Sequence, residues 1–304
     1  MTLQQLKYVI EVAKNRSISK AAQHLFISQP SLSNAIKELE TELGIIIFTR
    51  TNRGIHITPE GSEFLGYARQ VIEQAELLEN RYQTTSSQHH FAVSSQHYAF
   101  AVSAFVRLLK DYQTTEYEFT FRETKTYEII EDVKNLRSEI GILYLNDFNQ
   151  HVISKFLREG NLIFHHLFEA KPHVFISATN PLAKKDCVTL QDLREYPYLS
   201  YEQGEYNSFY FSEEILSTLS RPKNIHVSDR ATLFNLLIGL NGYTISTGIL
   251  SKELNGDNII SIPLRVNEQL EVGYITHKNV TRSPMANIYI DYLKETVALE
   301  RNQL

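Results

Sequence analysis

The chain has one cysteine, Cys187, in 304 residues, so no internal disulfide is possible and nothing suggests an oxidising compartment. No apolar run approaches the roughly 18 residues that a membrane span needs. The opening segment, MTLQQLKYVIEVAKNRS, lacks a basic n-region, an apolar h-region and a small-residue cleavage site, so it does not read as a signal peptide. Neither a GxGxxG fingerprint, nor a P-loop, nor an HExxH helix occurs. These absences describe a cytoplasmic protein that is not an enzyme and has no cofactor. With 42% hydrophobic and 21% charged residues the chain is long enough for two or three domains with sizeable cores.

Positive charge is also short overall, at a formal net charge of -5. That total argues against a nucleic-acid partner, but its distribution reverses the argument. Residues 1–57 hold seven Lys/Arg against four Glu, or +3, which leaves -8 on the remainder. Phosphate attraction acts over only about 10 Å at ~0.1 M salt, so a basic head on an acidic body suffices to bind DNA.

Within that head, Leu3, Leu6, Val9 or Ile10, and Ala13 recur at helical spacing, predicting a first helix with one buried stripe. Ser19 is placed to cap a short second helix with Ala21, Ala22 and Leu25 inward, and Ser28 to cap a third, with Pro30 in its first turn. On a wheel that starts at Gln29, Leu32, Ile36, Leu39 and Leu43 fall between roughly 280° and 340°. Ser33, Lys37, Pro30 and Asn34 fall between roughly 40° and 140°, a face of small hydrogen-bonding groups that fits a major groove. Two β-type runs, Ile45–Phe48 and Ile55–Ile57, then flank a turn with Asn52 and Gly54, reading as a wing that carries Arg50 and Arg53 to backbone phosphates or a minor groove.

The run SISKAAQHLFISQPSLSNAIKELETELGIIIFTRTNRGIHITPEG resembles the winged helix-turn-helix of LysR-type transcriptional regulators. The matching elements are the paired alanines, Ser-Gln-Pro-Ser-Leu-Ser, Leu-Glu-x-x-Leu-Gly, Phe-x-Arg before the wing and Thr-Pro-x-Gly after it. Length and domain order extend the resemblance over essentially the whole chain. It implies that Ser28, Gln29, Pro30, Ser31, Ser33 and Lys37 touch DNA from the recognition helix, and Arg50 and Arg53 from the wing. Asn34 stands where the family often has Arg; Asn bridges an adenine edge, so operator preference differs there.

Thr58 and Pro59 read as the cap and first residue of a long helix to about Gln83. Its Phe64, Ala68, Val71, Ala75, Leu78 and Tyr82 form a heptad seam, which predicts a partner helix and a homodimer or homotetramer. The expected division is therefore a DNA-binding domain over 1–58, a linker and dimerisation helix over 59–88 and an effector-binding domain over 89–304.

From His90 onward strands and helices alternate, the pattern of mostly parallel α/β sheets. Two such lobes, one over about 89–162 and 267–304 and the other over 163–266, resemble the family's periplasmic-binding-protein-like effector domain. Ligands in such sheets sit beyond the carboxyl ends of strands, at helix N-termini. That rule selects Ser94, Ser95, Gln96 and His97, then Thr124, Thr126 and Tyr144, and in the second lobe Ser200, Tyr201, Ser246 and Thr247. Their hydroxyl and amide groups suit a small polar effector. Its charge stays open: helix N-termini favour a carboxylate or phosphate, while Glu202 and Glu205 near the mouth favour an added amine.

No metal site is expected, because His89–His90 and His165–His166 are adjacent and point to opposite faces of a strand. Cys187 has no neighbouring base and reads as an inert thiol. The sequence describes a DNA-binding regulator with operator DNA, a small effector, itself and RNA polymerase as partners, and no membrane. Two other readings compete with it: an architectural DNA binder without effector, and a binding-protein-like sensor or enzyme with a vestigial DNA head.

Overall fold

The computed structural model describes residues 1–51, 54–83, 89–112, 117–206 and 208–301. The backbone divides into two units, residues 1–87 and residues 88–304.

In the first unit α1 (Leu3–Asn15), α2 (Ile18–His24) and α3 (Gln29–Leu43) share one core. Leu32, Ile36 and Leu39 are buried against Val9, Val12, Ala21 and Ala22, each full leucine burial contributing about 1.5–3 kcal/mol. Leu3 and Leu43, expected in the stripe, are 46% and 37% exposed because they sit at the helix ends. The α2 cap is Ser17, not Ser19. Arg16 ends α1 in the left-handed region (φ 50°), so Ser17 is the first extended residue and its side chain accepts the Lys20 N–H. Ser28 caps α3 as expected, its Oγ accepting the Ser31 N–H at 3.2 Å.

The wing is β1 (Phe48–Thr51) and β2 (Gly54–Ile57), antiparallel with Phe48 opposite Ile57. It starts three residues later than the run from Ile45 predicts. Glu40 takes the N–H groups of Ile47 and Phe48 on one oxygen, at 2.7 and 3.0 Å, and Ile47 is fully buried. This holds the segment on the core rather than in a ladder.

Next comes α4 (Pro59–Gln83), capped by Thr58, whose Oγ1 accepts the Gly61 N–H at 2.9 Å. The predicted seam divides. Ala68 and Phe64 pack with Ile72 on Leu6 and Ile10 of α1, whereas Val71 and Leu78, with Tyr67, are 45%, 60% and 64% exposed. Helix α1 lies along the first half of α4 and takes that part of the stripe. The side chain of Tyr82 lies outside the description.

The second unit contains β3 (His89–Ser95), α5 (Ala99–Asp111), β4 (Tyr117–Glu123), α6 (Thr126–Lys134), β5 (Ile140–Leu145), α7 (Gln150–Glu159) and β6 (Leu162–Ala170). It continues with β7 (His173–Ser177), β8 (Tyr198–Tyr201), β9 (Asn224–Val227), α8 (Arg230–Leu240), β10 (Tyr243–Ser246), α9 (Lys252–Asn255), β11 (Ile259–Pro263), β12 (Leu270–His277) and α10 (Pro284–Arg301). The strands make two sheets, β4-β3-β5-β12-β6 and β11-β7-β10-β8-β9. Both are mixed: β12 runs antiparallel to β5 and β6, and β7 antiparallel to β10 and β11. Each sheet with its helices is one lobe, and α10 returns to pack on α5 of the first.

One boundary moves. Strand β6 was expected to open the second lobe at residue 163, but it pairs with β12 along Leu162–Ala170 as the edge of the first sheet. Alternation of polar and apolar residues says that a strand exists, not which sheet it joins. The second lobe therefore begins after Ala170.

The segment after β8 leaves its own lobe. Its short 3-10 turns, Gly204–Tyr206 and Phe209–Phe211, cross to the first lobe. There Phe211 is buried with Ile129, Ile130 and Leu157, and the Tyr206 ring stacks on Tyr127 with centroids 3.5 Å apart. An aromatic strap thus joins the lobes.

Candidate functional sites: an exposed helix face and an interlobe cleft

On α3, the residues opposite the buried leucines face outward. Ser28, Gln29, Pro30, Ser31, Asn34 and Lys37 are exposed and Ser33 is half-exposed. A capped helix whose first two turns display only small or hydrogen-bonding groups has the shape a major groove admits. Arg50 lies on β1, where only its backbone is described, and Arg53 lies outside the described residues.

Between the lobes of the second unit lies a cavity of about 30 Å³. His97, Tyr201 and Ser246 of the predicted set line it, together with Glu213, Glu214, Arg230 and Thr244, which the strand-end rule did not select. His97 is held on both sides. Its backbone N–H donates to Glu213 Oε2 at 2.9 Å, its Nδ1 lies 2.9 Å from the same oxygen, and its ring stacks on Tyr201 with centroids 3.7 Å apart. Burial, the largest influence, pushes the imidazole down, but the Glu213 charge and hydrogen bond, aided by Glu123, outweigh it, so its pKa lies above the usual 6.5.

Glu214 is 2% exposed. Its Oε1 accepts the Tyr201 N–H at 3.0 Å, and its Oε2 has no hydrogen-bond partner among the described residues. Burial first, then the neighbouring Glu213 charge, push its carboxyl well above the ordinary range. Arg230, at the start of α8, places Nη2 3.2 Å from Glu123 Oε1 across the cleft, an ion pair whose angles deny a hydrogen bond to that oxygen. Arg230 Nη1 and Thr244 Oγ1 are likewise buried without a hydrogen-bond partner among the described residues.

The other predicted residues are placed differently. Ser94 is a correction: strand alternation turns it into the first lobe, where its Oγ donates to Asp132 at 2.6 Å and meets Ser138 at 2.8 Å. Ser95 Oγ is used by the Gln96 carbonyl. Gln96 is fully buried and is itself a tie: its Nε2 donates to Thr126 Oγ1 at 2.6 Å, and its Oε1 accepts from Tyr144 N–H and Tyr98 OH. The Thr126 N–H, at the α6 N-terminus, donates to Gln203 Oε1 at 3.1 Å. Tyr144 OH donates to the Ser212 carbonyl, Thr124 to Glu128, and Thr247 Oγ1 accepts the Ile249 N–H. Ser200 Oγ meets His226 Nδ1 at 3.1 Å and borders a neighbouring pocket. Glu202 pairs with Lys125 at 3.5 Å, while Glu205 is exposed away from the cavity.

Arg230 was within reach of sequence reasoning, since Asp229 caps α8 directly after β9 and the helix-terminus rule applies there too. Glu213 and Glu214 carried no local signal, because the strap that delivers them folds on the opposite lobe.

Residues 3–62 match the family model for the bacterial regulatory helix-turn-helix protein, lysR family, and residues 84–298 match that for the LysR substrate binding domain. The chain belongs to the LysR family of DNA-binding transcriptional regulators. It is 27% identical to the transcriptional dual regulator GltC of Bacillus subtilis across 96% of each chain. A 78-residue stretch is 41% identical to the uncharacterized HTH-type regulator YcgK of the same organism, covering 26% of this chain and 24% of that one. A mutant of Corynebacterium glutamicum OxyR has the same fold, with a TM-score of 0.52, 18% identity and coverage of 99% and 96%. LysR regulators bind operator DNA and small-molecule effectors and form oligomers. No described helix is long and apolar enough to cross a membrane, and no described group of His, Cys, Asp and Glu could hold a metal ion.

Proposed function

We propose that this regulator works in the cytoplasm without catalysis. It reads its operator through Ser28, Gln29, Pro30, Ser31, Ser33, Asn34 and Lys37, and it responds to an effector bound between the lobes of its second unit. The observation that carries the effector reading is the cavity at the strand ends, where polar atoms of Glu214, Arg230 and Thr244 are buried without partners. Native interiors pair such groups, each unpaired one costing about 1–3 kcal/mol, so a site that keeps three is built for something to fill.

The lobes are joined by Arg230–Glu123, His97–Glu213 and Gln203–Thr126. An effector larger than the 30 Å³ cavity binds better when these links part. Its differential affinity for the two lobe arrangements is the free energy available to change operator binding. The exposed Tyr67, Val71 and Leu78 of α4 offer a stripe for self-association.

Lys37→Ala tests the DNA reading. It is expected to weaken operator binding about tenfold across sequences and to lower the salt slope by roughly 1, leaving the melting temperature unchanged. Operator affinity indifferent to both Lys37→Ala and Ser33→Ala would remove α3 from the interface. Footprinting at saturating effector tests the coupling, and an unchanged footprint sinks it.

A further inference from the structure

Resting on the effector reading above, we infer that the cleft takes a small zwitterion, with an ammonium against Glu214 and a carboxylate against Arg230 and Thr244. The argument is one of unmatched atoms of opposite kind in one cavity. Glu214 Oε2 lies in a residue 2% exposed and has no partner among the described residues; burial and Glu213 favour its neutral form, and an ammonium beside it would draw it back to the carboxylate. Arg221 is the cation whose charge acts on Glu214, but no hydrogen bond or ion pair joins the two among the described residues, and His97 is engaged by Glu213 on both its backbone N–H and its ring. On the second lobe's wall, Arg230 Nη1 and the Thr244 hydroxyl, in a residue 4% exposed, are donors with no hydrogen-bond partner among the described residues.

A lone anion satisfies Arg230 and Thr244 but is brought beside the Glu213 carboxylate and holds Glu214 in its neutral form. A lone amine satisfies Glu214 and leaves the guanidinium's inner nitrogen unpaired. A molecule carrying both charges matches Glu214 as well as Arg230 and Thr244. The remaining walls, Phe175, Leu233 and Ile249, are apolar and set the frame between the charges as short and aliphatic or aromatic. The free space of about 30 Å³ has room for about two waters, so entry of such a ligand separates Arg230 from Glu123 and opens the cleft.

The test is calorimetric titration and thermal shift on the full-length chain with the twenty standard L-amino acids as free zwitterions. The best binder is then compared with its des-amino acid and its decarboxylated amine. The expected result is one or a few short apolar amino acids that bind, with both truncated analogues about 100-fold or more weaker, since each leaves a buried charged group unpaired. Glu214→Gln should weaken the amino acid roughly 10- to 100-fold, the worth of a charge-assisted hydrogen bond. The isosteric Thr244→Val is the second variant and should weaken it less.

If the des-amino acid binds equally well and moves the operator footprint, the zwitterion falls and the effector reading stands. Equal binding by the amine has the same effect on the zwitterion. If no amino acid, acid or amine binds while operator binding persists, the open atoms hold buried water alone, and both the zwitterion and the effector reading fall.

Discussion

Two glutamines of this chain are candidate site residues on different grounds, Gln29 through the family resemblance of the recognition helix and Gln96 through its place at the end of a strand. Gln29 is exposed in the first turn of α3, while Gln96 is wholly buried and bonded to Thr126, Tyr98 and Tyr144. The difference is where water can compete. An exposed amide is already satisfied by solvent and contributes little to stability, so it is available to a partner. A buried amide has exchanged solvent for three protein bonds and is part of the frame.

The sharpest way to break this contrast is to remove both. Gln96→Leu leaves the Tyr144 N–H, Thr126 hydroxyl and Tyr98 hydroxyl without partners and should destabilise the second unit by about 3 kcal/mol or more, at 1–3 kcal/mol for each group. Gln29→Ala should change stability by less than about 0.5 kcal/mol while weakening operator binding. Denaturant melts of the full-length variants check both. Equal destabilisation would mean that α3's outer face is structural.

A second contrast is pH. His97 is held above its usual 6.5 by Glu213 and Glu123, against burial and Arg230. The raised folded value means that its stabilisation is complete below about 6.5, the unfolded value, and is lost as pH rises through the folded one. Glu214, also raised, acts in the same direction but from nearer 4.5 upward. The second unit's melting temperature should therefore decline as pH rises above 6.5. Calorimetry of wild type and Glu213→Gln across pH 5.5–8.5 checks it: the variant should flatten the decline that starts near 6.5. A variant with the wild-type slope would assign the decline elsewhere.

Sequence reading succeeded where the controlling physics is local. The 3.6-residue spacing of Leu32, Ile36 and Leu39 set α3's buried side, and with it the exposed one, because a helix has only two sides to divide. Caps at Ser28 and Thr58 were equally legible. Failure came where remote segments decide. Strand β6 joined the first sheet through β12, more than a hundred residues away. Helix α7, over Gln150–Glu159, went unassigned. Ser94 and His97 sit three residues apart at the end of one strand, yet one faces Asp132 and the other the cavity. Glu213 and Glu214 reach the cleft only because the aromatics of the strap dock on α6 and α7.

The smallest expected effect bears on α4, whose two sides repeat the buried-versus-exposed contrast within one helix. Gly66 lies on the exposed side beside Tyr67, and a Cβ built there meets nothing within 4 Å. Glycine inside a helix costs about 0.8–1.0 kcal/mol relative to alanine, mainly through freedom left in the unfolded chain. Gly66→Ala should therefore stabilise the first unit by up to about 1 kcal/mol and raise its melting temperature. Sedimentation at graded concentration separates the two meanings of that surface. Stabilisation with unchanged self-association places Gly66 beside the Tyr67–Val71–Leu78 stripe rather than in it. Weakened association would mean that a partner helix approaches closely at Gly66, and that its missing side chain is there for the contact rather than tolerated by solvent.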